Sequence, residues 1–327
     1  MSERILVTGA AGFIGFHLCR SLLETGGTVV GFDNLNDYYD VHLKQSRLAV
    51  LRSYDRFTFV RGDLADAEAV NGLFAVDQPD AVVHLGAQAG VRYSMENPRA
   101  YMDSNMTGFF NVLEAVRAHP VRHLLFASSS SVYGNQQKTP FSVDDPVDRP
   151  VSLYAATKKS NELMAYTYAH LYGVPTTGLR FFTVYGPFGR PDMAYFKFTK
   201  KILAGDPIDI YNHGDLKRDF TFVDDIVSCL SRMICIPPKA DAGGERYALY
   251  NIGNNHPVDL MQFLKVLETA VGRPAHIHYL PMQPGDVYQT YADIQKTTED
   301  FGFVPETPIE VGLPLFVDWY KNYYGAK

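Results

Sequence analysis

Through the first half of the chain, short apolar runs alternate with longer stretches whose apolar residues recur at helical spacing. The runs Ile5–Val7, Thr28–Phe32, Phe57–Val60, Ala81–His84, His123–Ala127 and 175–181 predict strands. The stretches Phe13–Glu24, Asp66–Ala75, Arg99–Ala118 and Leu153–Tyr172 predict helices between them. That rhythm predicts an α/β fold, a doubly wound parallel sheet covered by helices on both faces. Near-continuous apolar strands such as A-V-V-H-L and H-L-L-F-A suit a sheet buried on both sides. After residue 182 the rhythm breaks into short elements rich in Gly, Pro and aromatic residues. Residues 1–182 are read as the main domain, with 216–254 returning to it. Segments 183–215 and 255–327 are read as a smaller C-terminal α/β region capping a cleft.

Composition narrows the partners. Of 327 residues, 46% are hydrophobic and 20% charged, as in a soluble globular enzyme. A formal net charge of −6 argues against nucleic acid as a partner. The three cysteines, Cys19, Cys229 and Cys235, sit in apolar stretches and are expected as buried thiols, not as a disulfide framework or metal site. The chain runs from its first residues straight into a predicted strand, and no apolar run approaches a bilayer span, so the expectation is a cytoplasmic protein without a membrane partner.

The first strand is followed by T-G-A-A-G-F-I-G, with Gly9, Gly12 and Gly15 at the opening of a predicted helix. Missing side chains there let the backbone approach a pyrophosphate, whose charge the helix N-terminus favours. The second strand ends on Asp33, 21 residues beyond Gly12, where a carboxylate accepts hydrogen bonds from the ribose hydroxyls of NAD and repels the 2′-phosphate of NADP. Lys44 and Arg47 follow nearby and work the other way. Two further loops follow predicted strands: Asp63-Leu64, facing the adenine, and Leu85–Gly90, with Ala87 and Gln88, along the phosphates and nicotinamide ribose. Both also read as plain strand-ending loops. The nucleotide half is therefore expected to be Rossmann-type, with NAD as cofactor.

Tyr154 and Lys158 stand four residues apart on a predicted helix and share a face. Moving a phenol from a pKa of about 10 to neutrality takes about 4 kcal/mol. One cation at about 4 Å supplies that at an effective dielectric of about 20. The pair therefore reads as a general base for an alcohol. Upstream lies a serine run, Ser128 to Ser131.

Together T-G-A-A-G-F-I-G, A-S-S-S-S-V-Y-G, Y-A-A-T-K and R-D-F-T-F-V-D-D resemble the extended short-chain dehydrogenase/reductase family over essentially the whole chain. The resemblance is strongest to its nucleotide-sugar epimerases. The segments at 33–41, 88–98, 180–194 and 282–287 are similar to those of the UDP-glucuronate 4-epimerase subgroup. It implies that Tyr154 is the base, Lys158 its electrostatic partner and ribose ligand, and Ser129 the hydroxyl bridging sugar and tyrosine. Phe13, Ile14, Asn34, Asn36 and Phe182 would join the cofactor site. Asn105 is either an organiser of the helix below it or a packing amide. Arg218 would meet the diphosphate, Tyr211 the uridine and Asp286 a ribose; Arg92 either faces the phosphates or is a solvated surface group. Gln283 stands where many UDP-sugar epimerases carry Arg; the uronate subgroup looks similar here, so the departure is read as a subgroup trait.

Related enzymes that divert the 4-keto sugar carry carboxylates after the catalytic hydroxyl. Ser130 and Ser131 occupy those positions here, which favours epimerisation over elimination. Ser130, Ser131, Thr183 and Arg190 are candidates for holding a uronate carboxylate. A UDP-glucose or UDP-N-acetylhexosamine 4-epimerase, and a non-catalytic NAD-binding scaffold, are the competing readings. Family resemblance also implies a homodimer through the helices predicted at 99–118 and 153–172.

Overall fold

The computed structural model describes residues 3–282 and 287–326. Its elements run β1 (Arg4–Thr8), α1 (Phe13–Glu24), β2 (Thr28–Asp33), α2 (Val41–Leu51), β3 (Phe57–Arg61), α3 (Ala67–Asp77), β4 (Ala81–His84), α4 (Tyr93–Glu96), α5 (Pro98–Tyr101), a π-helical stretch (Met102–Thr107), α6 (Gly108–Ala118) and β5 (His123–Ser129). They continue with α7 (Leu153–Tyr172), β6 (Thr176–Phe181), β7 (Thr183–Tyr185), α8 (Ala194–Ala204), β8 (Ile208–Tyr211), β9 (Lys217–Phe222), α9 (Val223–Ile234), β10 (Tyr247–Ile252), β11 (Pro257–Asp259), α10 (Leu260–Val271), β12 (Ile277–Leu280), α11 (Gln295–Phe301) and α12 (Ile309–Tyr324).

Seven strands form one parallel sheet in the order β10-β6-β5-β4-β1-β2-β3. Successive strand residues feed two different cores, as the period of two demands. Ile5, Val7, Val29, Ala81, Val83 and Leu125 pack with α1 and α9 on one face. Leu6, Val30, Val82, Leu124 and Phe126 pack with α3, α6 and α7 on the other. Burial on both sides is why these strands read as unbroken apolar runs. A third core joins α8, α10 and α12 to the small sheets.

Of segment 216–254, α9 packs against α1 and β10 is the edge strand of the large sheet. β9 instead sits between β7 and β11 in a three-stranded sheet, and β8 pairs with β12. Two expectations need correction. The helix predicted over Arg99–Ala118 contains the π-helical stretch, a feature that periodicity does not signal. And Cys235 is exposed at the end of α9, while Cys19 and Cys229 are buried. Among the described residues no helix is long and apolar enough to cross a membrane.

Candidate active site

A cavity of about 830 Å³ runs along the carboxyl ends of β1, β2, β4, β5 and β6 and under the segment 182–211. In open α/β sheets this edge is where ligands bind, because strand ends and helix N-termini converge there.

At one end lies the glycine turn. Gly9 has φ +71°, and a Cβ on it would stand 2.7 Å from the Gly86 backbone nitrogen. A Cβ on Gly15 would come within 2.1 Å of the Gly9 carbonyl oxygen, so α1 can approach β1 only without one. Helix α1 starts with no side-chain cap and no acidic residue in its first turn. Its leading N–H groups and dipole are thus left to an anion, and this cradle fits a pyrophosphate. Phe13 and Ile14 line the same end.

Asp33 closes β2 at the cavity wall. Its Oδ2 accepts from Ala11 N at 3.1 Å and its Oδ1 from Leu35 N at 2.8 Å, which fixes the carboxylate against the glycine turn. Asn34 donates to Asp63 at 2.9 Å, and Lys44 donates to both oxygens of Asn36 at 2.6 and 2.7 Å. Arg47 is fully buried and donates to the carbonyls of Ala11 (2.8 Å) and Phe188 (2.6 Å). Its guanidinium is therefore structural, tying α2 and the glycine turn to the 186–190 loop, and is not a ribose-phosphate ligand.

Leu64, Leu85, Ala87 and Gln88 line the middle. Thr8 Oγ1 accepts from Gly86 N at 3.1 Å and lies 2.9 Å from His84 Nδ1, locking the ends of β1 and β4 together. Burial and then Lys158 push that histidine down to about 3, so it stays neutral. Asn105 does not face the cavity. From the π-helical stretch its Oδ1 accepts from Gln88 N at 2.8 Å and its Nδ2 donates to Gln88 O at 3.0 Å, while its own carbonyl accepts from Asn161 at 2.7 Å. The cavity-lining loop after β4 is thereby bolted to α7.

At the centre, α7 carries Tyr154 and Lys158, and β5 ends on the serines. The N-cap Ser152 accepts from Ala155 N at 3.1 Å, which starts the helix where Tyr154 faces the cavity. Ser129, Ser130, Ser131, Tyr154 and Lys158 all line it. Ser129 Oγ accepts from Ser131 N at 3.2 Å, turning the chain so the run presents its hydroxyls together. Lys158 is buried, donates to Ala127 O at 2.8 Å, and is pushed by that burial down to about 8. Burial raises the Tyr154 phenol, opposed by the Ser129 hydroxyl and then by the Arg190 guanidinium. This corrects the sequence argument: Lys158 is turned towards Ala127, and the chain's own residues do not bring the phenol to neutrality.

Behind the serines, Ser128 donates to Glu162 at 2.6 Å, and Arg180 binds the same carboxylate at 2.8 and 2.9 Å. Arg180 also donates to Tyr133 and to Val143 O. Sequence reading missed this buried pair, since Arg180 lies in a strand that reads as apolar.

Phe182, Thr183, Arg190 and Tyr211 line the far end. The Arg92 guanidinium lies over the Tyr211 ring, 5.1 Å from its centroid, bringing together two candidates far apart in sequence. Arg190 is held by Asp192: Nε to Oδ1 at 3.0 Å and Nη2 to Oδ2 at 2.5 Å. Tyr38 donates to the same Asp192 at 3.2 Å. Burial and then Asp192 push the Tyr38 phenol up to about 12, so it remains a donor. Sequence reading missed Tyr38 and Asp192, although both stand inside quoted motifs. Arg218 does not line the cavity; its Nη1 donates to Lys217 O and Tyr288 O on β9 and the strand-like segment beside it. Asp286 and Gln283 lie outside the described residues.

The profile of the NAD dependent epimerase/dehydratase family matches residues 5–253. The chain belongs to this family. Its cofactor is NAD, in agreement with the glycine cradle and Asp33. A protein of Rhizobium meliloti named probable UDP-glucuronate 4-epimerase is 49% identical, covering 98% of each chain. The UDP-glucuronic acid 4-epimerase of Bacillus cereus, solved with UDP-glucuronic acid and NAD, superposes with a TM-score of 0.90 at 33% identity over 98% of this chain and 100% of that one. The UDP-glucose 4-epimerase of Thermotoga maritima, solved with UDP-glucose, gives 0.87 at 30% identity over 98% and 100%.

Proposed function

We propose that this nucleotide-sugar 4-epimerase, an NAD-dependent isomerase, interconverts UDP-glucuronate and UDP-galacturonate. The observation that carries the reading is the end of β5: three adjacent hydroxyls, Ser129 to Ser131, line the cavity together with Tyr154, Thr183 and Arg190. The named relative at 49% identity supports it.

Tyr154 takes the proton of the sugar's 4-hydroxyl through Ser129 and later returns it. When bound, NAD accepts and gives back the hydride of carbon 4, so the net reaction is an isomerisation. Lys158 would hold the nicotinamide ribose, while the Ser129 hydroxyl and the Arg190 guanidinium favour the ionised phenol. Gly9, Gly12 and Gly15 admit the pyrophosphate, and Asp33 takes the adenosine ribose. Ser130, Ser131 and Thr183 hold the carboxylate by hydroxyl hydrogen bonds and, lacking a carboxylate, give elimination no base. The 4-keto sugar must turn over within the cavity before reduction from its other face. Arg92 and Tyr211 serve the nucleotide end, within a substrate region of 183–215 and 255–327. A homodimer through α6 and α7 is part of the same proposal, because Phe110, Leu163, Tyr166 and Leu171 leave large apolar surface exposed there. So is a cytoplasmic location.

One observation favours a UDP-glucose 4-epimerase instead: the Arg190 fork is already taken by Asp192. NMR analysis of products from UDP-glucuronate and from UDP-glucose, each with NAD, separates the two. Conversion of UDP-glucuronate with Tyr154→Phe inactive is the expected result; turnover of UDP-glucose alone would overturn the uronate reading.

A further inference from the structure

A 4-epimerase of uronates faces two demands that conflict. It must recognise a carboxylate, and it must let the sugar carrying that carboxylate turn over between two hydride transfers. A guanidinium is the strongest recogniser available, because its fork matches a carboxylate through two parallel charge-assisted hydrogen bonds. The same fork would hold the sugar in one orientation. Arg190 is the arginine beside Tyr154 on the cavity wall. Its fork is filled from within the chain: Nε and Nη2 both donate to Asp192, leaving an incoming carboxylate only the Nη1 side.

Asp192 is itself held in place. Tyr38, from the loop after β2, donates to its Oδ2, and the Tyr38 ring packs on Tyr93 with centroids 4.6 Å apart. Gly90 leaves room for the Tyr38 hydroxyl, which a Cβ there would meet at 2.7 Å. The Arg190 guanidinium keeps Asp192 below the usual carboxylate range, against the burial that works the other way, so Asp192 is an anion in the working pH range. Arg190 and Asp192 thus form a near-neutral pair whose geometry is fixed by Tyr38 from a separate segment of the chain.

We propose that Asp192 is a specificity-determining residue: by occupying the Arg190 fork it lets the site accept a uronate carboxylate without clamping it, so that the keto sugar can turn. The inference rests on the uronate reading above. It makes Asp192 an internal competitor of the substrate carboxylate, which weakens ground-state binding and raises the rate of the turning step.

The test is Asp192→Asn, which keeps the shape, leaves a single acceptor oxygen in place of two and removes the charge, so one position of the Arg190 fork is released. Affinity is measured by calorimetry with NAD present, in a Tyr154→Phe background that prevents turnover. UDP-glucuronate should bind about tenfold tighter, the worth of one charge-assisted hydrogen bond, with UDP-glucose unchanged. With Tyr154 intact, KM and kcat for UDP-glucuronate should fall together, and absorbance of reduced nicotinamide should build up during turnover as the keto sugar stalls. In an Arg190→Met background Asp192→Asn should change none of these. Unchanged or weaker UDP-glucuronate binding, or an effect that persists without Arg190, overturns the proposal. If Asp192→Asn does not fold, Asp192→Ser, which keeps a hydroxyl for Tyr38, gives the same readings. Wild-type protein that leaves UDP-glucuronate unconverted overturns the uronate reading and this inference together. Wild-type conversion with an indifferent Asp192→Asn overturns this inference alone.

Discussion

Glu162→Gln tests whether the buried pair behind the serine run holds the catalytic strand in place. Glu162 and Arg180 are each only about 2% exposed at the side chain, and both carboxylate oxygens are engaged by Arg180. A glutamine keeps one acceptor and turns the other position into a donor, facing either Arg180 Nη2 or the Ser128 hydroxyl. The guanidinium then stays buried with the one remaining glutamine oxygen, Tyr133 and Val143 O as partners and without the carboxylate charge. Removing one member of a buried pair costs about 3–5 kcal/mol, and the surviving acceptor puts this case near the lower end, about 3 kcal/mol. With an unfolding entropy of about 2.1 cal/mol/K per residue, that corresponds to a fall of about 4 °C in Tm for a chain of 327 residues. Where the amide nitrogen takes the Oε1 position, the Ser128 hydroxyl loses its 2.6 Å acceptor next to Ser129, and kcat should fall as well. Scanning calorimetry with saturating NAD reads the first effect and steady-state kinetics the second. A Tm within about 1 °C of wild type would mean that the pair contributes nothing net and refute the reasoning.

Three further outcomes follow from the geometry. Gly15→Ala forces a Cβ to within 2.1 Å of the Gly9 carbonyl, so α1 must shift and NAD retention should drop sharply, read by gel filtration and nucleotide release. Lys158 titrates near 8 when folded against about 10.5 unfolded. The unfolded chain therefore holds the extra proton between those values, and the Lys158 contribution to stability rises with pH there. From pH about 7 to about 10 the Tm difference between wild type and Lys158→Met should move in favour of wild type by about 2.5 kcal/mol, or about 4 °C. A difference independent of pH would contradict the assigned burial. Leu163→Glu, at a side chain 58% exposed on α7, should shift a dimer to monomer in analytical ultracentrifugation while leaving the Tm of a protein that is already monomeric unchanged.

Strand positions and the glycine cradle were legible in the sequence because they depend on short-range rules. Strands buried on both faces must be apolar throughout, and a helix that meets a strand end without a gap must begin with glycines. Asp33 followed from the same logic, as the last residue of β2. Tyr154 and Lys158 shared a helix face by spacing alone, and hydroxyls at Ser130 and Ser131 were plain from composition. None of this required a long-range contact.

Tertiary structure decided what the charges do. Arg190 read as an open fork, yet Asp192 fills it, with Tyr38 contributed from 154 residues away. Arg47 read as a possible phosphate ligand, yet it is walled in between the glycine turn and the 188–189 carbonyls. Arg180 and Glu162 meet only because β6 and α7 stack at one end of the sheet. The Tyr154 pKa was argued from one cation a helical turn away, whereas burial outweighs it and Lys158 turns to Ala127. The physical reason is common to all four. A backbone preference is set by neighbours along the chain, but the free energy of a charge depends on how much water remains around it and which opposite charge arrives. Only the folded chain supplies those two facts.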